Sequence, residues 1–221
     1  MTRLKSVWLP VLSAAVYLLV MALVEQLWQL GYLLKSLVKV TLTVILIGMA
    51  CAVQKKPPQE VIFFRRMKPA KTLFLVMGVM FAGVFLGFLL LRGGLDLNLI
   101  RERLMAKEGL TRQNCLFVFA YIILVNSFLE EAFFRGFLGH ALPEPWGIVF
   151  GSLAFAVYHI GILDTWVNFG MLVLMTVGLA AVGAALQMIC DRFDSLKASW
   201  LVHGCANLAI NAIGCYVIFS R

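Results

Sequence analysis

Residues 129–136 read Leu129-Glu130-Glu131-Ala132-Phe133-Phe134-Arg135-Gly136, three charges set among aromatic and aliphatic neighbours. Upstream, Gln113–Leu129 contains no Asp, Glu, Lys or Arg, and downstream the chain stays apolar until Gly139, Pro143 and Pro145 break it. This pattern predicts a helix from about Gln113 to Leu138, longer than the roughly 20 residues needed to cross a ~30 Å hydrocarbon core. Its charges then stand inside lipid. An ionisable residue at the centre of a spanning helix costs about 2.5–3.5 kcal/mol on insertion scales, and such residues face a cavity or a partner. Glu131 and Arg135 are four apart with the acid first, the better order for a helical ion pair, so they neutralise each other. Glu130 is turned about 100° away. It is left as a free carboxylate, suited to the role of general base.

The rest of the chain repeats the apolar pattern. Of the 221 residues 62% are hydrophobic, and the mean hydropathy is +0.94, outside the range of soluble proteins. Ser6–Val24, Thr72–Leu91, Pro145–Leu163, Thr165–Cys190 and Ala198–Ser220 also lack Asp, Glu, Lys and Arg. Ser36–Val53 contains only Lys39, near its start, where the ammonium is expected to snorkel to the interface. The expected fold is all-α: a polytopic transmembrane bundle of about seven helices, eight being the alternative, forming one integral membrane domain over 1–221. Ser6–Val24 is long for the apolar core of a signal peptide and no small-residue cleavage site follows, so it reads as a retained anchor. Within 92–112, Leu95, Leu97, Leu99, Ile100, Leu104 and Met105 alternate with charges, as in an amphipathic helix on the membrane surface.

The net charge of +8 does not point to nucleic acid. Lys55, Lys56, Arg65, Arg66, Lys68 and Lys71 fall in one loop, which marks the cytoplasmic face and its anionic headgroups. Arg3 and Lys5 put the N-terminus on the same side. The segment Arg92–Arg112 carries five positive and three negative charges yet falls outside by alternation. The five cysteines, Cys51, Cys115, Cys190, Cys205 and Cys215, lie in or beside apolar segments without C-x-x-C spacing and read as packing residues. Trp8, Trp28, Trp146, Trp166 and Trp200 sit near helix ends, as an aromatic belt does.

Further polar residues stand in the later helices. His159 closes Phe155-Ala-Val-Tyr-His159, and His203-Gly-Cys-Ala-Asn207 places a His and an Asn on one helical face that Asn211 continues. At 1.5 Å per residue, Glu130 lies roughly 15 Å and His159 roughly 20 Å from the Gly–Pro break, with His203 and Asn207 roughly 9 and 15 Å beyond the loop Asp191–Lys197. All four reach a similar depth. Such stripes converge only if their helices pack closely, and small residues at Gly147, Gly151, Gly178, Ala181 and Gly183 would permit that. Asn126 and Asn211 read as supporting residues, and His140, in the break, as interfacial.

The ordered set E-E-x-x-x-R, F-x-x-x-H and H-x-x-x-N, spread over 114–211, resembles the CAAX protease and bacteriocin-processing (CPBP, or Abi) family of intramembrane proteases. The resemblance implies an endopeptidase acting on a membrane-associated or small peptide. Glu130 would activate water with help from His159, and His203 and Asn207 would stabilise the oxyanion, while Glu131 and Arg135 would hold the site in shape. The independent chemistry agrees, since amide hydrolysis needs a base, a positioned water and donors for developing negative charge.

A Glu with two His is also the ligand set of some catalytic zinc sites, so Glu130, His159 and His203 are the ligands if a metal takes part. The H-E-x-x-H motif is absent and using Glu130 as a ligand leaves no base, so no cofactor is favoured and zinc is the alternative. The expected partners are a peptide or lipidated-peptide substrate and membrane lipids. The short chain looks more like bacterial members of the family, which places it in the cell membrane and makes prenylated substrates the less favoured choice. The competing class is a non-proteolytic immunity or scaffold protein, or a proton-coupled transporter using the same polar cluster.

Overall fold

Seven helices in the computed structural model are long and apolar enough to cross a membrane. The structure describes residues 8–28, 30–67, 70–106, 108–164 and 166–219. Arg3, Lys5, Lys68, the expected helix starts at Ser6 and Thr165 and the expected end at Ser220 lie outside these residues. The spanning helices are α1 (Trp8–Leu27), α2 (Tyr32–Gln54), α3 (Lys71–Gly94), α5 (Cys115–Gly139), α6 (Trp146–Leu163), α7 (Phe169–Phe193) and α8 (Leu196–Phe219). Between α3 and α5 runs the short amphipathic helix α4 (Leu97–Ala106). No strand occurs among the described residues. The architecture is the all-α polytopic bundle expected.

Helix ends follow local chemistry. Thr111 Oγ1 accepts the Asn114 N–H at 3.2 Å and Asn114 Oδ1 accepts the Thr111 N–H at 2.7 Å. This reciprocal pair, a capping box with Asn in the acidic position, starts α5. Asp96 Oδ1 accepts the N–H groups of Asn98 and Leu99 at 3.0 Å ahead of α4, and Asn168 Oδ1 caps α7 through the Met171 N–H. Each side chain satisfies donors that a helix start leaves without partners.

In lipid no hydrophobic force draws helices together, so close packing must do so. A Cβ on Gly147 would run into the carbonyls of Gly139 and Leu142, and one on Gly151 would stand 2.8 Å from the Phe134 carbonyl. These two glycines therefore seat α6 on α5. Gly183 meets Ser152 in the same way, at 3.1 Å, and joins α7 to α6. Gly178 has no neighbour within 4 Å and Ala181 is exposed, so the expectation of close contact there is not met. Aromatic stacking adds to the core: the rings of Tyr17 and Phe133 lie 4.2 Å apart and those of Phe134 and Phe155 lie 5.5 Å apart, linking α1, α5 and α6. By contrast, α3 buries only Leu73 and packs mainly along α8.

Two features depart from a plain bundle. Wider π-helical turns cover Ile122–Asn126 and Glu131–Gly139 of α5, on either side of a four-residue α-helical stretch, Ser127–Glu130. Such turns are frequent at functional sites. Secondly, Lys35 Nζ contacts Glu25 Oε2 and Glu108 Oε2, each at 2.8 Å, tying α1, α2 and the segment after α4 together. Near the other end of the bundle, the Phe63 carbonyl accepts the Leu196 N–H at 3.1 Å and Arg65 pairs with Asp194, so the basic loop straps onto the α7–α8 connection.

Candidate active site

Glu130 is 2% exposed and Glu131 is fully buried, and their neighbouring positions on α5 send them to different partners. Glu131 faces Arg135 Nη1 at 3.4 Å, the ion pair expected from their spacing. That contact lacks hydrogen-bond geometry, and Arg135 instead spreads over the Phe155 ring, 4.1 Å from its centroid, and donates to the Gly183 carbonyl at 3.4 Å. The short contact of Glu131 is to His203, whose Nδ1 lies 2.8 Å from Oε1. Since a carboxylate only accepts, Nδ1 carries the proton. The other ring nitrogen, Nε2, is aimed at Glu130 Oε2, 3.6 Å away.

Glu130 is not the free carboxylate that the sequence suggested. Lys39 Nζ donates to Glu130 Oε1 at 2.5 Å, to Asn126 Oδ1 at 2.5 Å and to Tyr158 Oη at 2.8 Å. Asn126 Nδ2 completes the ring with a 3.0 Å bond to the same Glu130 oxygen. Snorkelling of Lys39 is thereby overturned: the residue is 3% exposed and its ammonium points into the bundle. The physical reason is mutual compensation, because a buried carboxylate and a buried ammonium each remove the other's penalty. Two unpaired opposite charges in separate apolar segments were the signal that could have found this contact. Tyr158 gave no such signal, being one aromatic residue among many.

The histidine of α6 is partly exposed. Its Nδ1 lies 2.8 Å from the Phe155 carbonyl, and the residue is within electrostatic reach of Glu130 and His203. The Phe155 ring packs against both imidazoles, its centroid 4.5 Å from that of His159 and 5.8 Å from that of His203. On α8, Asn207 Nδ2 reaches the Ile122 carbonyl at 3.4 Å and Asn211 Nδ2 reaches the Phe119 carbonyl at 3.2 Å. Both therefore tether α8 to the part of α5 ahead of the two glutamates. The structure thus gathers Glu130, Glu131, His159 and His203 into one cluster, with Asn207 one helical turn beyond His203.

His140 sits apart, beyond the end of α5. Its Nδ1 lies 2.7 Å from the Arg135 carbonyl and its Nε2 lies 3.2 Å from Asp191. Burial disfavours the charged ring, but Asp191 and the carbonyl favour it more, and the pKa is raised.

The donor set bears on whether a metal ion could be held here. Among the described residues no group of three or more His, Cys, Asp or Glu is arranged to hold one. Glu130 Oε1 already carries an ammonium, which would repel a second cation. The residues do not fit a zinc site.

A cleft of about 280 Å³ opens between α1 and α6, lined by Leu18, Met21, Gln26, Val157, Tyr158 and Asp164 among others. Tyr158 thus joins the charged cluster to a mainly apolar opening.

No curated protein and no solved structure matches the chain. Residues 112–209 match the family model described as Type II CAAX prenyl endopeptidase Rce1-like. That interval holds the E-E-x-x-x-R, F-x-x-x-H and H-x-x-x-N residues and leaves out Lys39. Residues 112–209 are thus similar to the Rce1-like CAAX endopeptidases, the CAAX protease family that the motifs of this chain resemble.

Proposed function

We propose that the chain is an intramembrane endopeptidase in which Glu130 activates water. The observation that carries this reading is the placement of Glu130 Oε2 opposite His203 Nε2 at 3.6 Å, in a buried site. That oxygen takes a proton from water, and the hydroxyl oxygen forms its bond to the peptide carbonyl carbon. Negative charge then moves onto the carbonyl oxygen, where His203 Nε2–H and the Asn207 amide supply donors. Donation from Nε2 with Nδ1 bound to Glu131 requires the doubly protonated ring, and both carboxylates flank it. Collapse of the intermediate breaks the C–N bond, and the proton held by Glu130 passes to the leaving amine. His159 orients the water from α6.

The hydrolysis runs without a metal, as the crowded donor set suggests. The substrate is a membrane-associated or small peptide that approaches sideways through the cleft between α1 and α6. The match to the CAAX prenyl endopeptidase model brings prenylated C-terminal peptides back into consideration beside unmodified ones. The chain lies in the cell membrane with the basic loop after α2 on the cytoplasmic face, and the N-terminus on the same side. Glu130→Gln, purified in lipid nanodiscs, should retain substrate peptides that the wild type releases as fragments, and mass spectrometry of bound peptides reads this. Equal fragment patterns from both proteins would defeat the reading.

A further inference from the structure

Lys39 comes from α2, outside the segment that matches the family, yet it makes the shortest contacts in the cluster. An ammonium has three N–H donors, and here each has an acceptor: Glu130 Oε1, Asn126 Oδ1 and Tyr158 Oη. The charge is therefore fixed in position and does not swing on its stem. Glu130 is held unevenly in consequence. Its Oε1 receives both Lys39 and Asn126, whereas Oε2 is directed at His203.

We infer that Lys39 is a positioning residue, which by occupying Oε1 reserves Oε2 of Glu130 for the water molecule. This inference rests on the peptidase reading. Three helices share the work: α2 supplies the ammonium, α5 supplies Asn126 and Glu130, and α6 supplies Tyr158, whose ring also lies 4.7 Å from the ammonium. Rotation of the carboxylate would cost two hydrogen bonds at once, so the reacting oxygen stays within the geometry that proton transfer requires.

The test uses the purified full chain in nanodiscs, with two probes: a randomised internally quenched decapeptide library and a farnesyl-cysteine peptide of the CAAX type. Lys39→Ala should lower kcat about 100-fold on the probe that the wild type cleaves, with KM changed less than about threefold. Added n-butylammonium, which brings N–H donors back to the slot, should restore kcat at least about tenfold, whereas tetramethylammonium, with charge but no N–H, should not. A purely structural lysine predicts a different result: Lys39→Ala loses activity only in proportion to the folded protein lost, and neither amine helps. That outcome, unchanged kcat in Lys39→Ala, or equal rescue by both cations would overturn the inference while leaving the peptidase reading standing. A wild-type protein that cleaves neither probe would overturn both.

Discussion

His203 Nδ1 donates to Glu131 Oε1 across 2.8 Å, although the two residues are 72 positions apart in the chain. The ion pair expected between Glu131 and Arg135 is thus the far end of a longer arrangement, in which Arg135 faces Glu131 and Glu131 fixes the imidazole. A carboxylate behind a histidine sets its tautomer and ring orientation. Glu131 accordingly acts on the site as well as on the helix.

Glu131→Gln should show both effects. The amide still accepts from Nδ1 but no longer balances Arg135, and breaking a buried pair from one side destabilises by on the order of 3 kcal/mol. Thermal unfolding in micelles should register that loss, and peptide cleavage by the remaining folded protein should fall about tenfold or more. Wild-type unfolding and wild-type cleavage would together remove Glu131 from the account.

Stability and activity should separate at the Lys39–Glu130 pair. Glu130→Gln leaves a buried ammonium without its counter-charge and should unfold at lower temperature than wild type. Adding Lys39→Met removes the stranded charge and should recover most of that temperature. Cleavage should remain absent in both variants. A double variant as unstable as the single one would mean that the pair is not coupled.

The spans could be read from sequence because lipid imposes length and apolarity on every helix that crosses it. Observed boundaries fall within a few residues of the expected ones, as for α5, expected over Gln113–Leu138 and observed over Cys115–Gly139. The cluster of Glu130, Glu131, His159 and His203 was also legible, since each polar group stands out against an apolar helix. Its wiring was not. Whether Lys39 snorkels or turns inward depends on how α2 is rotated, which one lysine in an apolar run does not specify. The π-helical turns of α5 carry no motif. Likewise, the Glu25–Lys35–Glu108 contact joins three separate segments, and no local spacing announces it.

His140 gives the fold a pH dependence of defined sign. In the folded chain Asp191 holds the ring's pKa above the usual 6.5, despite burial. The stabilisation is therefore fully present below pH 6.5 and is lost as pH rises through the folded value. Unfolding temperatures in micelles, followed from about pH 5.5 to about pH 8.5, should fall across this window in the wild type. His140→Gln should flatten that part of the curve, and an identical curve would show that the His140–Asp191 contact has no role.

Chelation addresses the metal-free reading. Prolonged treatment with 1,10-phenanthroline and then EDTA, followed by gel filtration, should leave cleavage unchanged, and elemental analysis should find well under one zinc per chain. Loss of activity that returns with added zinc would instead make Glu130, His159 and His203 the ligands.

Activation of water by Glu130 for hydrolysis of a peptide bond, as proposed, is tested most directly by cleavage in ¹⁸O-enriched water. Mass spectrometry of the products should find one ¹⁸O in the newly formed carboxyl group with wild-type protein, and no cleavage with folded Glu130→Gln. Full cleavage by Glu130→Gln, or wild-type products whose new carboxyl group lacks ¹⁸O, would contradict the account.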